Sequence, residues 1–168
     1  PDDFRLTAQP LDYFGLNVYN RVPVTANQQV AMDFSQGGNF LNNRTEYYPK
    51  AVYDAIHLLH DLYGIKIPIY ITENGLSCND KVYLDGKVHD LDRIDFLHRY
   101  LLELGKAIEE GTPIRGYLQW SFLDNFEWSS GYDERFGIVY VDYRTCERIP
   151  KESAAWYADV IATNGENL

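Results

Sequence analysis

The chain reads as an α/β fold, a parallel sheet with helices packed outside it. Three observations predict this. The periodicity of apolar residues gives the order strand, helix, strand, helix, strand, helix, and such alternation implies parallel strands joined by crossover helices. The central strand run is continuously apolar rather than alternating, as a strand covered on both faces requires. The unusual polar and aromatic residues fall at the ends of the strand runs, where sheets of this kind place their sites.

Residues 13–20, "YFGLNVYN", form the first short strand, ending in polar groups. Residues 21–46 lack periodicity and are rich in Asn, Gln, Gly and Thr, which predicts a long loop. Residues 50–64 carry Val52, Ala55, Ile56, Leu59, Leu62 and Tyr63 at helical spacing, with Pro49 before them and Gly64 as the stop. A strand at 67–72 comes next, then a loop containing Gly75 and Gly86. The second helix, 93–110, has one face of Ile94, Leu97, Leu101, Leu104 and Ile108, with Asp92 as its N-cap and Gly111 as its end. A strand at 115–121 is followed by a loop at 122–136 and a short extra strand, "GIVYVDY". Pro150 opens the last helix, 151–163, with a stripe of Ala155, Tyr157, Ala158 and Ile161.

The 168 residues amount to about one domain, and 45% hydrophobic content is ample for a core. The net charge of −10 argues against a nucleic-acid surface, which needs clustered Lys and Arg. No apolar run approaches the length of a membrane span. Cys78 and Cys146 fit neither a metal spacing nor a disulfide framework, and two free thiols suit a reducing, cytoplasmic compartment.

The chemistry gathers in two stretches. In "IPIYITENGLS", residues 67–77, a buried strand leads straight into Glu73. A carboxylate there can serve as metal ligand, proton carrier or nucleophile. His57, His60, His89 and His98 fall on helices or a loop rather than at strand ends, so the metal reading lacks partners. Proton carrier and nucleophile both remain open. In "WSFLDNFEWSSGYDERFG", residues 120–137, two Trp, three Phe, one Tyr and four acids share one loop. Phe122 and Phe126 read as core aromatics. Trp120 and Trp128 beside Glu127 offer flat apolar faces next to hydrogen-bond acceptors, the complement of a sugar's C–H patches and hydroxyl rim.

These residues resemble glycoside hydrolase family 1, β-glucosidase type. "ITENG" at residues 71–75 matches the family's I/V-T-E-N-G signature, and "GLNVYN" is similar to its G-x-N-Y-Y strand. Residues 120–143 nearly match its W-S-L-L-D-N-F-E-W…G-Y…R-F-G-I-V-Y-V-D-Y stretch, and residues 148–157 match its closing R…P-K…W-Y. The resemblance spans essentially the whole chain. It implies the C-terminal part, about three βα units, of a (β/α)8 TIM barrel, with residues 1–168 one portion of a single catalytic domain. It implies a retaining β-glycosidase with Glu73 as nucleophile and Tyr19 donating to it. Asn17 supports the site beside it, Trp120 forms the floor under the sugar, Glu127 accepts from O4 and O6, Trp128 donates to O3, and Phe136 borders the pocket. No cofactor or metal is implied. Asn74 shapes the turn after Glu73, and Val18, where the family often has Tyr, points away from the site.

Retention needs two carboxyl groups about 5–5.5 Å apart. The family's acid/base lies in an Asn-Glu-Pro motif, which this sequence does not contain. Such a barrel typically needs about 250 residues. The expected partners are therefore a β-glucoside or short β-linked oligosaccharide and the N-terminal part of the same barrel, with no nucleic acid and no membrane. Alone, the chain is expected to be inactive. The rival readings are a non-catalytic carbohydrate-binding module and a self-associating half-barrel.

Overall fold

A computed structural model describes residues 2–27 and 46–168. A short helix, α1 (Asp2–Thr7), precedes strand β1 (Phe14–Asn17). Helix α2 (Lys50–His57), strand β2 (Ile69–Asn74), helix α3 (Leu91–Glu109) and strand β3 (Ile114–Gln119) come after it. A hairpin of β4 (Val139–Val141) and β5 (Arg148–Pro150) leads to helix α4 (Glu152–Ala162). The three main strands form one parallel sheet in the order β1-β2-β3. Most of the loop read at 21–46 lies outside the described residues. At its margins Arg21 meets Glu46 at 2.8 Å and covers the Tyr48 ring.

The core lies between the sheet and its helices. Ile69 and Ile71 of β2 are fully buried, and Ile71 packs in one cluster with Val52 and Ile56 of α2 and Phe96, Leu97, Tyr100 and Leu104 of α3. Val18 joins this core, so its side chain does point away from the opposite face. That opposite face is open among the described residues, with Tyr13 and Leu118 more than half exposed.

Several expected details are corrected. Gly64 and Gly111 end their helices at φ 66° and 91°, but a π-helical turn at Leu58–Leu62 interrupts the α2 pattern. The wider turn shifts the phase, and Leu62 and Tyr63 face solvent instead of the core. Helix α3 starts two residues early, with Asp90 at the N-cap position and Asp92 in the first turn. Its buried face includes Arg93, Phe96, Tyr100 and Ala107, while Ile108 is half exposed. A charged residue can take a core position here because Asp80 and Asp90 meet it there. Helix α4 buries Ser153 and Val160, with Trp156 and Tyr157 packed against the core, whereas Ala155, Ala158 and Ile161 are exposed. Pro150 closes β5 rather than opening a helix. It sits where a strand edge tolerates a missing N–H.

Candidate active site

Strand β2 does not stop at residue 72. It continues through Glu73 and Asn74, with Glu73 paired opposite Asn17. The ladder holds because neighbouring backbones supply partners: Val18 N–H donates to Glu73 O at 2.9 Å, and Trp120 N–H to Asn74 O at 2.8 Å. Asn74 is fully buried and does more than shape a turn. Its Nδ2 donates to Val18 O at 2.7 Å, and its Oδ1 accepts from the Tyr117 hydroxyl at 2.6 Å, so one side chain ties β2 to β3 and to the residue just past β1. The next residue must be glycine, because a Cβ on Gly75 would stand 1.8 Å from Trp120 O.

Tyr19, just past the end of β1, donates its hydroxyl to Glu73 Oε2 at 2.7 Å. Burial raises the phenol pKa, and the hydrogen bond and charge of Glu73 raise it further. The group is therefore a fixed donor at any ordinary pH, and a donor aimed at a carboxylate favours its ionised form.

The second half of the site is the loop after β3. Trp120 donates its indole N–H to Glu127 Oε1 at 3.0 Å. Burial lifts the Glu127 pKa; the Trp120 N–H opposes this, and the charges of Glu73 and Glu134 add to it. The Phe136 ring stands edge-on to Tyr19 at 6.2 Å. Trp128 has a left-handed backbone, φ 45°, which throws its side chain outward, 86% exposed, at the rim.

A cavity of about 500 Å³ is lined by Tyr19, Glu73, Trp120, Glu127, Trp128 and Phe136. Asn17 is the exception. It does not line this cavity, and its Oδ1 accepts from Thr72 Oγ1 at 2.6 Å on the open face of the sheet. Phe126, read from the sequence as core, is exposed and lines the cavity instead, while Phe122 is exposed outside it. Aromatic residues in a loop carry no periodicity, so the sequence could not separate wall from core.

The sequence reading also missed what holds the loop. Lys151 is fully buried, with Nζ 2.5 Å from Asp80 and 2.8 Å from Asp124. Asp124 further accepts from Arg135 at 2.6 Å and from Gly137 N–H at 3.0 Å. Arg93, also fully buried, reaches Asp80 at 2.7 Å, contacts Asp90, and donates to Arg135 O at 2.8 Å. Burial opposes the Arg93 charge, but the surrounding acids dominate and its pKa is raised; that of Lys151 is lowered by burial, with the Arg93 charge adding to the effect. Three cations and three carboxylates thus join the β2–α3 loop, the loop after β3 and the start of α4. Among the described residues no three His, Cys, Asp or Glu side chains gather to hold a metal ion, and no helix is long and apolar enough to cross a membrane. Cys78 and Cys146 are both free, and burial pushes the Cys78 thiol up to about 12.

Chemically, the cavity pairs an anchored carboxylate with a second acid and flat indole surfaces. Known proteins are similar to this chain over nearly its whole length. The chain is 41% identical over 168 residues to a 1,4-beta-D-glucan glucohydrolase of Thermotoga neapolitana, covering 98% of this chain and 37% of that protein. It is 41% identical over 180 residues to a bifunctional beta-D-glucosidase/beta-D-fucosidase of Bifidobacterium breve, covering 95% of this chain and 39% of that one. Beta-glucosidase from Thermotoga maritima in complex with glucoimidazole superposes with a TM-score of 0.91 at 39% identity, over 98% of this chain and 37% of that chain. The chain therefore spans less than two fifths of the length of these relatives, and its α/β fold is part of a (β/α)8 barrel. The family model for glycosyl hydrolase family 1 matches residues 1–166, and the chain belongs to that family.

Proposed function

We propose that this chain supplies the nucleophile side of a retaining β-glucosidase acting on terminal non-reducing β-D-glucosyl residues. Residues 1–168 form the C-terminal portion of one catalytic barrel, and a segment outside them supplies the acid/base. In the first step a Glu73 oxygen bonds to the anomeric carbon while that acid protonates the departing oxygen. In the second, water deprotonated by the same group displaces Glu73. Tyr19 holds Glu73 in place with its hydroxyl donor. Trp120 forms the floor under the sugar, Glu127 accepts from O4 and O6, Trp128 donates its indole N–H to O3, and Phe136 closes the side.

The observation that carries this reading is the 2.7 Å hydrogen bond from Tyr19 to Glu73 in the cavity that also holds Glu127 and Trp120. A site that merely holds sugar has no need of a carboxylate so prepared. The open sheet face with Tyr13 and Leu118 exposed supports further strands covering it. The name of the Thermotoga neapolitana relative supports β-linked glucose oligosaccharides as substrates, and that of the Bifidobacterium relative leaves room for fucosides. Glu127 and Glu134 would repel a phosphate, so the unphosphorylated sugar is favoured. The free thiols suit a cytoplasmic setting.

A 2-deoxy-2-fluoro-β-glucoside with a good leaving group tests the reading in the complete barrel. Intact-mass and peptide analysis should find one covalent sugar on Glu73. Reversible binding without an adduct would support a carbohydrate-binding module instead. Purified residues 1–168 alone should turn over no aryl β-glucoside.

A further inference from the structure

The Tyr19–Glu73 hydrogen bond depends on the placement of a residue that has already left the sheet. Strand β1 ends at Asn17, and its pairing with β2 is irregular between Leu16 and Asn17. Two residues later the backbone must still aim a phenol at Glu73. The geometry points to Tyr100 as a positioning residue for that pair: its hydroxyl clamps the Tyr19 backbone from the core side, so that the Tyr19 side chain meets Glu73. This inference rests on the proposed role of Glu73.

Tyr100 lies on α3 and is fully buried, its ring stacked on Phe96 at 3.9 Å. Its hydroxyl donates to Tyr19 O at 3.1 Å and accepts from Tyr48 N–H at 3.2 Å. Both capacities of the hydroxyl are thus used, one on each side, which fixes its direction. The preceding carbonyl, Val18 O, is held in the same way by Asn74 Nδ2, and Asn74 is held by the Tyr117 hydroxyl. Two successive carbonyls past the strand end are therefore gripped by core side chains. This replaces the ladder bonds that β1 no longer supplies. Burial keeps the Tyr100 hydroxyl protonated, its pKa pushed up to about 12, so the donor persists across the working pH range. Tyr100 does not line the cavity, so its effect must pass through Tyr19.

The test is Tyr100→Phe in the complete barrel, which keeps the stacked ring and deletes one oxygen. The other ionisable groups facing Glu73 are Tyr19 and, across the cavity, Glu127, itself near Glu134. With Tyr19 loosened, Glu73 loses its hydrogen-bond donor. The acidic limb of kcat/KM against pH should move to higher pH, and kcat should fall roughly 5- to 10-fold with KM little changed. Tyr19→Phe should move the same limb further. In Tyr19→Phe the added Tyr100→Phe should produce no second shift, because the two act on one interaction. A limb that stays in place, with activity loss matching only the unfolded fraction, overturns the inference while leaving Glu73 as nucleophile. A shift that persists undiminished in the Tyr19→Phe background overturns it as well. A wild-type barrel that neither turns over nor becomes labelled at Glu73 removes the proposed function and this inference together. If Tyr100→Phe does not yield folded protein, Tyr117→Phe probes the same clamp through Asn74 and must move the same limb.

Discussion

The two walls of the cavity are held by different physics. On the Glu73 side, strand ends are joined by backbone bonds and by neutral donors and acceptors: Asn74 to Val18, Tyr117 to Asn74, Tyr100 to Tyr19. On the Glu127 side, an irregular loop is anchored by buried charges, with Lys151, Arg135 and Arg93 set among Asp124, Asp80 and Asp90. A strand already has most of its backbone groups satisfied, so a few neutral bonds suffice to finish it. A loop has no ladder, and a charged group with several partners can gather distant segments at one point. The difference teaches that Glu73 and Glu127 should respond differently to mutation.

The largest expected effect comes from that contrast. Lys151→Met would leave the carboxylates of Asp80 and Asp124 buried with one partner fewer each, and breaking a buried ion pair costs about 3–5 kcal/mol. Because Arg93 still meets Asp80 and Arg135 still meets Asp124, the lower end of that range is expected. Tyr117→Phe, on the other wall, removes a neutral hydrogen bond and should cost only about 1 kcal/mol. Urea unfolding of the complete barrel measures both. Equal losses would erase the distinction between the walls.

Next comes the function of the charged wall. If Glu127 has its proposed role, Glu127→Gln in the complete barrel should lower kcat/KM for an aryl β-glucoside about 100-fold, since the sugar hydroxyls are left with a poorer acceptor. For the aryl β-xyloside, which lacks the C6 hydroxymethyl group, the loss should be only several-fold. Equal losses on both substrates would separate Glu127 from O6.

These walls were also unequally legible in the sequence. Glu73, Tyr19, Trp120 and Glu127 could be singled out because each stands in a short, specific motif beside an apolar run. The extension of β2 through Glu73 and Asn74 was hidden, since polar residues in a strand look like its end, and only partners on β1 and after β3 show otherwise. Asn17 carried the family pattern as plainly as Tyr19, yet its side chain is taken up by Thr72 and does not line the cavity. The face of α4 was misjudged because Ala155 and Ala158 count as apolar in a pattern while remaining small enough to stand in solvent. The ion network left no trace in sequence spacing. Its members lie at 80, 90, 93, 124, 135 and 151, and only the fold brings them together.

The smallest effect sharpens the comparison on the network's own border. His89 bridges Asp85 of the β2–α3 loop and Glu152 of α4, the same two segments that Lys151 and Asp80 join in the interior. Here the partners are solvent-exposed, and such pairs contribute little. The Glu152 contact, followed by that of Asp85, raises the His89 pKa above its usual value. A raised folded-state value means that the stabilisation is fully present below about 6.5, the unfolded value, and is lost as pH rises through the folded one. His89→Gln should therefore lower the urea midpoint slightly at pH 6, and the gap to wild type should close by pH 9. A gap of equal size at both pH values would mean that His89 holds these segments by packing rather than by charge. The exposed edge would then owe as little to ion pairing as the neutral wall beside Glu73.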